Sequence, residues 1–135
     1  KPFSHGLHEA LPHSADEKAL PFEEAPFGLI GLETAVALYA EALVESGLID
    51  WPRLVALLTA EPARLCGLEA AGLGVLREGG PGDVTVIDPD LEWTVSLSDL
   101  KGLSRNTPFL GRRVRARPIA TVVSGRVVYE AQAAD

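Results

Sequence analysis

Three histidines, His5, His8 and His13, fall within the first thirteen residues, with Glu9 and Asp16 beside them. Imidazole and carboxylate are the donors that zinc takes in a catalytic site with one position left open for water. The spacing is not diagnostic, because neither a His-x-His pair nor a His-Glu-x-x-His signature occurs. A polar loop that happens to carry histidines accounts for the same residues, and both readings stay open. Glu17, Lys18, Glu23 and Glu24 read as a solvated charged stretch. Ala25-Pro26-Phe27-Gly28 is more suggestive, since a glycine lacks the Cβ that would keep a ligand away from the backbone. A plain turn into the next helix competes with it. The glycine-rich run 72–82 matches neither G-x-x-x-x-G-K-[ST] nor a fingerprint set between strand and helix, so it is not a phosphate loop. Cys66 falls on the apolar side of a short predicted helix with no evident base, which predicts a buried structural thiol. Arg112, Arg113, Arg115 and Arg117 are expected on a solvated face or edge. The candidate site is therefore residues 5–28, and residue types alone do not name its reaction.

The elements that must position such a site change character along the chain. Residues 1–31 show no steady period and read as a long structured loop, a feature that is usually functional. From Gly31 to Ser46 the pattern is helical: Leu32, Val36, Tyr39 and Leu43 recur at steps of three and four. Gly47 stands where a left-handed residue would end that helix. Asp50 is the predicted N-cap of a second helix that tolerates Pro52 in its first turn and turns Leu54, Leu57 and Leu58 inward. A third helix is expected over Pro62 to Cys66, stopped by Gly67. Beyond Gly72 the period becomes strand-like. Val84 to Ile87 reads as a short strand broken by Asp88-Pro89-Asp90, and Trp93-Thr94-Val95 as another. Two β-branched runs, Ile119 to Val123 and Arg126 to Tyr129, flank Ser124-Gly125 and predict a hairpin. Helices followed by β structure suit the end of a helix-containing domain joined to a small β unit.

Composition narrows the function classes. Among 135 residues, 12 Lys and Arg face 19 Asp and Glu, a net charge of −7. That balance disfavours nucleic acid, which needs a basic footprint, and an anionic membrane surface. A single cysteine cannot form an internal disulfide. No apolar run approaches the roughly 20 residues needed to span a bilayer. No secretory leader opens the chain, so the cytoplasm is the expected location. The chain lacks methionine and begins Lys1-Pro2-Phe3, which leads us to expect part of a longer protein.

Three blocks of residues carry a family resemblance. The first is Pro12-His13-Ser14 to Glu17-Lys18, then Pro21-Phe22-Glu23-Glu24-Ala25-Pro26-Phe27-Gly28 and Gly31-Leu32-Glu33-Thr34. The second is Pro62-Ala63-Arg64 to Gly67-Leu68, then Gly82-Asp83-Val84 to Asp88-Pro89. The third is Trp93-Thr94-Val95, Asn106-Thr107-Pro108-Phe109 and Gly111, ending Thr121 to Glu130. Together they resemble the C-terminal portion of a dihydroorotase of the amidohydrolase superfamily. The first and third blocks resemble dihydroorotases more than hydantoinases, and the second is common to both.

The resemblance implies an α/β chain. Residues 1–75 would form the last strand, loop and helix of a (β/α)₈ barrel, and residues 76–135 part of a small β-sandwich. A barrel takes about 250 residues, so only its end would be here. It implies a zinc-dependent cyclic amide hydrolase of pyrimidine biosynthesis that interconverts N-carbamoyl-L-aspartate and L-dihydroorotate. The family's run Asp-x-Ala-Pro-His is matched by Glu9-Ala10-Leu11-Pro12-His13. Glu9 would take the place of the carboxylate that touches zinc and moves the proton, His13 would bind the substrate carboxylate, and Phe27 and Gly28 would contact its ring. The other metal ligands have no counterpart in this chain, which alone is expected to be inactive. Glu9 for aspartate and Leu11 for alanine are departures. A carboxylate displaced by about 1 Å can cost roughly 10²-fold in rate. They favour the alternative reading, a catalytically silent scaffold for aspartate transcarbamoylase. A bland third reading is an inactive helix-and-strand remnant. As partners, the resemblance implies a small-molecule substrate and either a homo-oligomer or aspartate transcarbamoylase.

Overall fold

The computed structural model describes residues 20, 21, 23, 24 and 28–131. They fall into two compact units. The first joins the described residues as far as Ala35 to Thr94–Arg113; the second joins Val36–Trp93 to the described residues from Val114 on.

The second unit begins with helices. Helix α1 (Ala35–Tyr39) runs straight into a π-helical stretch, Ala40–Glu45, and Gly47 ends the segment at φ +77°. The helix begins later than its periodicity predicts. Thr34 closes a turn instead, its backbone N–H and its hydroxyl both donating to the Gly31 carbonyl at 3.2 and 3.3 Å. Helix α2 (Trp51–Leu58) starts as expected: the extended Asp50 accepts a hydrogen bond from the Arg53 N–H at 3.0 Å, and Pro52 occupies the first turn. Helix α3 (Ala60–Leu65) opens two residues before the predicted start, because a proline in the first turn forfeits no helical bond. A 3₁₀ turn, Glu69–Ala71, follows. Leu54 is buried against Ala40 and Ala116, with Val36, Leu43, Val44, Ile49 and Trp51 packed around them. Leu57 and Leu58, expected to point inward, are more than one-third exposed. They flank Leu54 on either side of the α2 stripe, and the packed face is too narrow to cover them. Cys66 is also exposed rather than buried, since it falls beyond the last turn of α3, beside Gly67.

Three strands complete this unit, β1 (Val84–Thr94), β2 (Arg113–Val123) and β3 (Arg126–Glu130), in the order β1-β2-β3. The predicted hairpin is present. Strands β2 and β3 pair antiparallel from Val123↔Arg126 to Ala120↔Glu130, with a bulge between Thr121 and Val122. Ser124 and Gly125 both have positive φ, +50° and +76°, the signature of the turn whose twist matches its strands. Residues just before β1 clamp that turn: the Asp83 carboxylate accepts from the Ser124 N–H at 2.7 Å, and Gly82 O from the Gly125 N–H at 3.0 Å. The break expected at Asp88-Pro89-Asp90 does not occur. Strand β1 lies at the sheet edge, where a proline is tolerated. The Asp88 side chain accepts the N–H groups of Asp90 and Leu91 at 2.9 and 3.1 Å. Trp93 and Thr94 accordingly belong to this same strand. Of the solvated face or edge expected for the arginines, the structure gives the face: Arg112, Arg113 and Arg115 are exposed, and Arg113, Arg115 and Arg117 lie on the middle strand. There Arg115 meets Glu92 at 3.3 Å and Arg117 stacks 4.6 Å from the Trp93 ring. The change from helix to strand falls between Ala71 and Val84. Among the described residues no helix is long and apolar enough to cross a membrane.

The first unit is mostly turns. A 3₁₀ turn, Leu97–Asp99, is capped by Ser96 and Asp99 reciprocally. Val95 bonds back to Arg112 O and Gly111 N, which closes the loop between them. Val95 and Leu100 are buried inside it.

Candidate functional site

Of the residues singled out for chemistry, His5, His8, Glu9, His13, Asp16 and Phe27 lie outside the described residues, and Gly28 lies within them. Gly28 is exposed and has φ +75°, a conformation that a side chain would strain. Its carbonyl accepts a hydrogen bond from the Asn106 side-chain amide at 2.8 Å. Two residues on, the Ile30 N–H donates to the Asn106 backbone carbonyl at 3.0 Å. Asn106 is 5% exposed, and the bond from its side chain to the exposed Gly28 is half-buried. Nearby, the Glu33 carboxylate accepts the Lys101 N–H at 3.0 Å. The segments 28–33 and 101–106, far apart in sequence, are thereby tied together.

The Asn106 loop is itself braced. The Arg105 guanidinium donates to Leu100 O and Gly102 O at 3.2 and 3.1 Å, and the Thr107 hydroxyl accepts the Phe109 N–H at 3.3 Å. Reading the sequence missed Asn106 as a site residue. The only local signal was an asparagine between small and polar residues, and that pattern also marks ordinary turns.

Among the described residues, no three His, Cys, Asp or Glu side chains group so as to hold a metal ion. These residues therefore do not fit a zinc site by themselves, and what they can do is hold and orient backbone. The carboxyl of Glu61, on the surface of α3, is shifted. A hydrogen bond from Arg53, and then the charge of Arg64, hold it below the ordinary carboxylate range. It has no counterpart base and reads as a surface ion pair. A groove of about 550 Å³ in the second unit is apolar, lined by Val55, Leu58, Leu73, Val84, Ile87 and Val122 among others. Thr59, Thr85, Thr121 and Asp83 also border it, and the Asp83 carboxylate is engaged by the Ser124 N–H.

Comparison with known proteins gives the site a context. No family model matches the chain. A protein of Citrifermentans bemidjiense named dihydroorotase is 45% identical over 120 residues, 89% of this chain and 27% of that protein. The L-hydantoinase (dihydropyrimidinase) of Arthrobacter aurescens superposes with a TM-score of 0.72 at 32% identity, covering 80% of this chain and 24% of that one. The D-hydantoinase (dihydropyrimidinase) from Thermus sp. gives 0.74 at 27% identity, covering 88% and 26%. The chain thus spans about a quarter of the length of the curated relatives it matches. The resemblance to dihydroorotases, read from its three blocks, is borne out over nearly nine-tenths of the sequence. The fold is α/β with a small sheet, like the corresponding parts of hydantoinases. Nothing in these likenesses supports the scaffold alternative.

Proposed function

We propose that this chain is the C-terminal portion of a dihydroorotase, a cyclic amidohydrolase that interconverts N-carbamoyl-L-aspartate and L-dihydroorotate in pyrimidine biosynthesis. The observation that carries the reading is 45% identity to a protein named dihydroorotase, sustained over 120 residues. On this reading residues 1–75 complete a (β/α)₈ barrel and residues 76–135 contribute to a small β-sandwich. The whole protein works in the cytoplasm with zinc as its cofactor, and most ligands for that zinc come from outside this chain. Self-association of the whole protein, or association with aspartate transcarbamoylase, belongs to the same proposal.

Each residue then has a physical task. His13 donates to the substrate carboxylate, a charge-assisted bond stronger than a neutral one. The backbone at Phe27 and Gly28 meets the substrate ring, and the missing Cβ of Gly28 leaves room for that approach. Ring opening consumes one water: oxygen adds to the ring carbonyl carbon, the C–N bond breaks and the ring nitrogen takes a proton. Glu9 stands where a carboxylate would take the proton from water and pass it to that nitrogen.

The test is calorimetric titration of the full-length protein with N-carbamoyl-L-aspartate. His13→Ala should weaken binding roughly tenfold or more, the worth of one charged hydrogen bond. Its melting temperature should stay close to that of the parent. Binding and stability lost in equal measure would contradict the assigned role.

A further inference from the structure

We infer, on the reading that Gly28 meets the substrate, that Asn106 is the positioning residue that sets where this backbone lies. The Asn106 amide nitrogen donates to Gly28 O at 2.8 Å across 78 residues of sequence, and its backbone carbonyl accepts from Ile30 N at 3.0 Å. One residue thus pins the segment at two points, on either side of Leu29. Glycine needs such an anchor. At φ +75° its conformation is not selected by its own residue type, because glycine populates both hands of the backbone about equally. The peptide that follows is planar and trans, so fixing the Gly28 carbonyl also fixes the Leu29 N–H, which points the opposite way. Asn106 therefore aims a backbone donor away from itself, a donor suited to the carbonyl oxygen of a cyclic amide.

The neighbouring residue shows what a merely structural side chain does here. Thr107 is as buried as Asn106, 6% against 5% exposed, yet its hydroxyl bonds to the Phe109 N–H inside its own loop. Asn106 instead reaches the exposed segment that carries Gly28. A buried amide must satisfy its donors, and this one does so on that segment.

The experiment compares Asn106→Ala with Thr107→Val in the full-length protein. It reads steady-state hydrolysis of L-dihydroorotate, the melting temperature and hydrogen exchange at the Ile30 amide. Asn106→Ala should raise KM about tenfold while kcat stays within about threefold, the split expected when ground-state positioning is lost. Exchange at Ile30 should accelerate. Thr107→Val should lower the melting temperature and leave KM unchanged. Asn106→Ser, whose shorter hydroxyl cannot reach Gly28, should give the same split where the alanine variant does not fold. Unchanged exchange at Ile30 would overturn the clamp whatever the kinetics. Faster exchange with unchanged KM would overturn the positioning role and leave the dihydroorotase reading standing. Failure of both Asn106 variants to fold would make the residue structural and refute the inference. No ring opening by the parent protein would remove that reading and the positioning role with it.

Discussion

In the first unit the buried residues are Thr34, Asn106 and Thr107 beside Val95 and Leu100, whereas the second unit buries Ala40, Leu54, Ala63, Trp93 and Ala116. Among the described residues, the buried threonine and asparagine side chains are all in the first unit, while in the second the buried Trp93 indole N–H donates to the Ala116 carbonyl at 3.2 Å. Apolar burial is non-directional and serves stability. Buried hydrogen bonds fix geometry, because breaking one strands a desolvated partner. The second unit thus buries mostly apolar side chains, and the first ties the Gly28 segment to Asn106 by hydrogen bonds. Substitutions in the second should cost stability and leave binding alone; the Asn106 pair should do the reverse.

The largest loss should follow Leu54→Ala. It empties a site where Leu54 is 1% exposed, and such truncations cost about 3 kcal/mol. The midpoint of urea unfolding reads this, and a shift worth less than about 1 kcal/mol would mean that the helices do not close on β2 through Leu54. Gly74→Ala comes next. Gly74 has φ +84°, and an added Cβ would lie 2.8 Å from the Ala63 Cβ and 3.0 Å from the Ala60 Cα. Backbone strain and overpacking together should cost about 2 kcal/mol in the same measurement. A neutral result would show that this segment slides away from α3.

Asp83→Ala should lose about 1 kcal/mol, since it removes the carboxylate that holds the Ser124 N–H while the turn stays solvated. It should leave ligand binding untouched, and an altered KM would blur the contrast between the units. The smallest effect belongs to Glu61. Its carboxyl is depressed in the folded state, so its contribution is present above the ordinary carboxyl pKa and fades as pH falls through the lower folded value. Wild type and Glu61→Gln should differ slightly in melting temperature at neutral pH and converge in acid; divergence in acid would reverse the sign. The pair is exposed, so the difference should be small.

What was legible in the sequence was local chemistry. The Asp50 cap, Gly47 and Gly67 as stops, and the Ser124-Gly125 turn all depend on residues a few positions apart, and all are present. Features that depend on distant partners were not legible. Pro89 looked like a break because nothing nearby showed that β1 is an edge strand or that Asp88 replaces the lost ladder bonds. For the arginines the sequence left face and edge both open, because strand order is not written in alternation. Cys66 looked buried because helical periodicity was extended one residue past the end of α3. Within the candidate site, Gly28 was found by its residue type. Asn106 was missed because its partner lies 78 residues away. The family blocks contained both residues without linking them.

Steady-state hydrolysis of L-dihydroorotate by the metal-loaded full-length protein, with hydantoin as the rival substrate, decides between a dihydroorotase and a hydantoinase. A dihydroorotase should open the ring to N-carbamoyl-L-aspartate, with the higher kcat/KM on dihydroorotate. Equal or faster hydrolysis of hydantoin, or no turnover of dihydroorotate by folded, metal-loaded protein, would contradict the dihydroorotase reading.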